Sequence, residues 1–158
     1  MIAQYEKMMN ILMILEVLKR HTDSPENSLA TQKEIAGKIE EEYGVRIDRH
    51  AIKRNLENLE NFLKFARCGY VLQHGKEVTR TTGDEEEVIC SDWYIERDIT
   101  DAELHLLIDG LLFSKYIPYS QCKNLVKNLE KLSSRHFKHR RGSLPEDKPE
   151  NKHLLLTI

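Results

Sequence analysis

The sequence predicts a mainly α chain carrying one small β-hairpin, and three observations predict it. Two Thr-x-x-Glu capping boxes, Thr31 with Glu34 and Thr100 with Glu103, each open a run with helical apolar spacing. After Leu63 that period gives way to short β-branched and aromatic runs. Gly44 and Pro118 fall where two of the helices must end.

The first predicted helix, Tyr5 to Arg20, is apolar nearly all round: Met8, Met9, Ile11, Leu12, Met13, Ile14, Leu15, Val17 and Leu18. Such a helix has to bury more than one side. One stripe is expected against the next two helices, and the second against a hairpin strand, the C-terminal helices or another subunit. The methionines are read as adaptable packing. Residues 21–30 form a polar loop containing Pro25.

The next helix starts at the Thr31 capping box, carries Ile35 and Ile39, and runs to Tyr43, where Gly44 supplies a left-handed cap. Val45 and Ile47 plug the turn, and Asp48 is placed as N-cap of a third helix with the stripe Ile52, Leu56, Leu59, Leu63. With Ile52 turned to the core, His50, Arg54, Glu57 and Asn61 lie on the opposite face, flanked by Arg49 and Lys53. From Arg46 to Arg54 there are four Arg/Lys against one acid, Asp48, so this stretch is strongly positive inside a chain of net charge −2. A helix presented to a major groove meets base edges with its first turns while nearby cations and N–H groups hold phosphates.

Two strands are expected next, within Gly69–Gln73 and Val88–Ile95, separated by a polar stretch from 74 to 87. A hairpin directly after a helix-turn-helix is a wing. In the polar stretch, His74, Lys76 and Arg80 with Thr79, Thr81 and Thr82 are candidates for phosphate or minor-groove contact. The acidic run Asp84-Glu85-Glu86-Glu87 is read as a solvated face pointing away from DNA. Trp93 and Tyr94 are expected in the core, anchoring the second strand on the first helix.

After the second capping box, Leu104, Leu107, Ile108, Leu111 and Leu112 make an amphipathic helix that Pro118 stops. A further helix from about Ser120 to Ser133 carries Cys122, Leu125, Leu129 and Leu132, and the two form a helical hairpin. The expected fold is therefore a winged helix-turn-helix followed by a helical hairpin. Its divisions are a winged domain over 1–98, the helical hairpin over 99–134, and a basic linker over 135–158 that ends on an apolar run.

Composition narrows the function classes. Hydrophobic residues at 40% and charged residues at 32% fit a soluble globular chain. A sequence pI near 6.4 excludes a generic polyanion binder, so any nucleic-acid contact must be local. Cys68, Cys90 and Cys122 show no CxxC spacing and are read as reduced thiols of a cytoplasmic protein. No apolar run approaches the ~18 residues a membrane span needs, so no membrane partner is expected. His136 and His139 are a close pair without an acid or cysteine at ligand spacing, and no Gly-rich phosphate loop is present. No catalytic residue, cofactor or metal site is assigned, and the chain is not read as an enzyme.

The stretch YGVRIDRHAIKRNLENLENF resembles the recognition helix of bacterial winged helix-turn-helix repressors, with Arg49, Ile52, Arg54, Leu56 and Leu59 on pattern positions. Ala51 stands where Thr or Ser is usual, and Asn55 where Asp is usual. The later stretch DWYIERDITDAELHLLIDGLLFSKYI is similar to the N-terminal half of WYL-domain transcriptional regulators, through Thr100, Glu103, Leu104, Leu107, Asp109, Leu112, Ser114, Lys115 and Ile117. The WYL domain itself is missing: the sequence stops at Leu154-Leu155-Leu156-Thr157-Ile158, where it would start, as a truncated product would. The resemblance implies a sequence-specific regulator that binds double-stranded DNA, here expected without the ligand-sensing half; a homodimer is expected because one recognition helix rarely supplies enough affinity against a genome of competing sites. The residues expected on DNA are Thr31, Gln32, Lys33, Arg46, Arg49, His50, Lys53, Arg54, Lys76 and Arg80. The alternative is a winged-helix module that uses the same helix on a protein partner without binding DNA.

Overall fold

In the computed structural model, residues 2–83 and 85–138 are described. The predicted linker beyond Lys138, with His139, and Asp84 of the acidic run lie outside them. Helix α1 (Ile2–His21) leads through a 3-10 turn (Pro25–Asn27) to α2 (Gln32–Tyr43) and α3 (Arg49–Phe65). Strands β1 (Tyr70–Thr82) and β2 (Glu85–Arg97) follow, then α4 (Asp101–Leu112) and α5 (Tyr119–Glu130). The chain is thus helix-rich, with one two-stranded antiparallel hairpin among the described residues. It divides into two compact units, Met1–Asp98 with Ser134–His136, and Ile99–Ser133 continuing from Phe137.

In the first unit, the boundaries of α2 and α3 follow from their caps. Thr31 accepts from the Glu34 N–H while the Glu34 carboxylate accepts from the Thr31 N–H, and Gly44 closes the helix at φ +67°. Asp48 caps α3 by accepting from the His50 N–H. Ile52, Leu56, Leu59 and Leu63 line the buried side of α3 and meet Ile35 and Ile39 of α2 with Met13, Ile14, Val17 and Leu18 of α1. Full burial of a Leu or Ile contributes about 1.5–3 kcal/mol, so this three-helix seam is the main source of the unit's stability.

The hairpin closes the core from the other side through Leu72, Trp93 and Ile95. Trp93 is buried as expected, whereas Tyr94, one residue on and turned to the other face, is only half-buried. Buried Thr22 joins α1 to β2: its hydroxyl donates to the Leu18 carbonyl at 2.6 Å and accepts from the Ile95 N–H at 2.9 Å. Arg97 adds bonds to the carbonyls of Thr22 and Lys19. The loop after α1 also pairs with β2, Leu29 and Trp93 exchanging N–H···O bonds of 2.9 Å.

Both strands are longer than the sequence suggests. Thr82 pairs with Glu85 across a turn at Gly83, which sits at φ +71°, so most of the stretch read as a loop is ladder. Its Thr and Val residues favour the extended chain, and Arg80 lies opposite Glu87, an opposite-charge cross-strand pair.

Residues 134–136, which the sequence divides between the helical hairpin and the linker, fold onto the end of α1. The Arg135 N–H donates to the Arg20 carbonyl at 2.8 Å, and the His136 ring lies 2.9 Å from the His21 carbonyl. The His21 ring is held between Arg135 on Nδ1 and Glu42 of α2 on Nε2.

In the second unit, Thr100 and Glu103 form the expected capping box on α4, and Leu104 and Ile108 are buried. Cys122 of α5 is buried too, its thiol donating to the Leu111 carbonyl at 3.3 Å. Three positions of the expected stripes, Leu107, Leu125 and Leu132, are exposed.

Candidate nucleic-acid interface

The exposed face of α3 is built from what the core leaves over. Because every apolar residue at i, i+4, i+7 and i+11 from Ile52 is buried, His50, Arg54, Glu57 and Asn61 are forced outward, and all four are exposed. Arg49 is exposed as the first residue of the helix, next to the Asp48 cap. Among the described residues no carboxylate is bonded to Arg49 or Arg54. Arg49 and Arg54 lie in the first two turns of α3, the end of the helix whose N–H groups and dipole favour an anion.

Two of the other expected cations are engaged. Arg46, in the turn, is bonded through Nε to Glu40 of α2 at 2.6 Å. Lys53, half-buried, is bonded through Nζ to Glu87 of β2 at 2.6 Å. The Glu87 carboxyl is held below its ordinary range by the Lys53 hydrogen bond first, then by the Lys53, Arg49 and His50 charges. The acidic run is expected as a solvated face pointing away from DNA; Glu86 and Glu87 are exposed, but Glu87 turns to Lys53 on the helix read as DNA-facing. The strand ladder extends past the stretch read as a loop, and an ordered strand carries Glu87 to within reach of α3.

The remaining expected contacts divide by element. At the start of α2, Thr31 and Lys33 are exposed and Gln32 is half-buried, but the Thr31 hydroxyl is already an acceptor in its capping box. Lys76 and Arg80 are exposed on β1, opposite Ser91 and Glu87 respectively. His74 does not join them. Its ring packs at 5.0 Å from the Trp93 ring, and its side chain is only 18% exposed. Sequence reasoning placed it at the tip with the other polar residues; the hairpin's length puts it at the base instead.

Sequence reasoning also missed the grouping of His74 with Glu77 and Cys90, whose donor atoms lie within 4.8 Å of one another. Cys90 is distant in sequence from His74 and Glu77, and only the strand register brings it to them, Glu77 being the direct partner of Cys90.

No helix among the described residues is long and apolar enough to cross a membrane. Comparison with models of known protein families finds no match, and neither curated proteins nor solved structures supply one.

Proposed function

We propose that the chain is a sequence-specific DNA-binding transcriptional regulator, a winged helix-turn-helix of the WYL-regulator kind. In this reading α3 enters the major groove, the start of α2 crosses the phosphate backbone, and the hairpin is the wing. The observation that carries it is the exposed cationic start of α3, Arg49 and Arg54 with His50, unpaired among the described residues and opposite a fully buried apolar stripe. Lys33, Lys76 and Arg80 are the flanking phosphate contacts, and Arg46 and Lys53 join them by exchanging a carboxylate for a phosphate. The reading assigns no catalytic step and places the protein in the cytoplasm with reduced cysteines.

One observation favours the second reading, a protein-binding module. Glu87 neutralises Lys53, and exposed Glu57 adds a negative group to the same helix face, so the surface is mixed in sign. Binding of a labelled random duplex at low salt, with and without heparin, separates the two. Heparin-resistant binding followed by selection of one sequence supports the regulator; no retained duplex at any salt supports the protein-binding module.

A further inference from the structure

Where the hairpin meets α3, an imidazole, a thiol and a carboxylate lie with their donor atoms within 4.8 Å of one another, and a second carboxylate approaches the imidazole. His74 and Glu77 come from β1, Cys90 from β2 and Glu60 from α3. In a regular strand, residues three apart point to opposite faces, so His74 and Glu77 should diverge. A kink prevents it. Asp92 sits at φ +58° with its N–H turned out to the Ala30 carbonyl, and opposite it Gly75 lets the strands close in: a Cβ there would lie 3.1 Å from the Asp92 Cβ.

The distances are those of co-ligands rather than hydrogen-bond partners. His74 Nε2 is 3.7 Å from Glu77 Oε1 and 3.8 Å from Glu60 Oε1. Hydrogen bonds end at about 3.2 Å. Around a tetrahedral ion with bonds of about 2.0–2.3 Å, neighbouring donors stand about 3.3–3.8 Å apart. His74 Nδ1 is buried with no hydrogen-bond partner among the described residues, so hydrogen bonding accounts for neither nitrogen of this ring. A tilted ring contact with Trp93, 5.0 Å between centroids, holds the imidazole in place meanwhile.

We propose that His74, Glu77 and Cys90, with Glu60 as fourth donor, bind a divalent transition ion of the zinc type. One nitrogen, one sulfur and two carboxylate oxygens suit a borderline ion; calcium and magnesium prefer oxygen alone. Burial raises the Cys90 thiol first, and the charges of Glu77, Glu60 and Glu57 raise it further. A cation reverses both effects, releasing the thiol proton as the Sγ–metal bond forms. Glu60 Oε1 is also 2.9 Å from Lys64 Nζ, so ion binding moves that ammonium aside. The bound ion ties α3 to both strands whatever those elements recognise, so the proposal does not depend on DNA binding.

The test is titration of the full reduced chain with Co2+, followed by absorbance. The expected result is a thiolate-to-cobalt charge-transfer band with intense tetrahedral d–d bands, saturating at one equivalent and displaced by Zn2+. Cys90→Ser should abolish the charge-transfer band, and Cys68→Ser should keep it. Glu77→Gln, at an exposed position that tolerates change, should weaken binding at least about tenfold, the scale on which even outer ligand partners act. Absence of a saturable band, a band that survives Cys90→Ser, or unchanged affinity in Glu77→Gln each overturns the proposal.

Discussion

Asp23 shows how much of the first unit hangs on single polar groups. Burial raises its pKa, but hydrogen bonds from Ser134, Asn27 and Ser24, with the His136 charge, outweigh this and leave it below 3.8. Because the folded value is depressed, the stability it contributes is present above the unfolded pKa and lost as pH falls through the folded one. Thermal melts from pH 5 downward should therefore show a steeper acid loss in the wild type than in Asp23→Asn. Equal slopes would mean the cluster is not coupled to folding. On α3, Arg54→Ala should leave the melt unchanged and weaken DNA binding. A base contact would cost ~1–3 kcal/mol and relax one base position, whereas a phosphate contact would flatten the salt slope by about one. Which arginines face outward was legible from spacing alone; that Arg46 and Lys53 would be held by Glu40 and Glu87 was not. Such pairs depend on which strand or helix end comes near in space, and sequence separation carries no record of it.

At the scale of elements, capping chemistry proved the most legible signal. Thr31, Gly44, Asp48 and Thr100 all terminate helices where side-chain chemistry says they should, because a cap is satisfied within a few residues. The apolar stripe of α3 was equally plain, and Leu56→Ala should cost ~2–5 kcal/mol and lower the melting temperature of the first unit by several degrees. A wild-type melt for that variant would mean α3 is rotated from its described orientation. Strand length was not legible, since polar Thr, Lys and Glu give no alternation when both faces meet water. The consequence is testable at Glu87. Glu87→Gln removes the carboxylate that competes with phosphate for Lys53, so duplex affinity at low salt should rise. Unchanged affinity would show that Lys53 is not part of the interface.

For the whole molecule, the unspent apolar surface is the informative feature. Met8, Met9 and Leu12 are exposed on α1, while in the second unit Leu106, Phe113 and Tyr116 are 72%, 82% and 91% exposed. The sequence showed that α1 carries more apolar surface than one packing partner can cover, but not which residues would be left. A homodimer is the expected use of one of these faces, since two half-sites supply affinity that one recognition helix does not. Truncation at Asp98 would remove residues 134–136 from the first unit, so surface charges are the better probe. Light scattering on the full chain should give a dimer that Leu106→Glu with Phe113→Glu dissociates. Dissociation by Met9→Glu with Leu12→Glu instead would move the interface to α1, and a monomeric wild type would reject dimerisation.

Trp93 is the chain's only tryptophan, and it is buried in the first unit beside His74. Emission excited selectively from indole therefore reports on that unit alone, while far-ultraviolet dichroism sums the helices of both. Two coincident midpoints would mean the units melt as one cooperative body. Separated midpoints would give the second unit its own transition, invisible to fluorescence and measurable by difference.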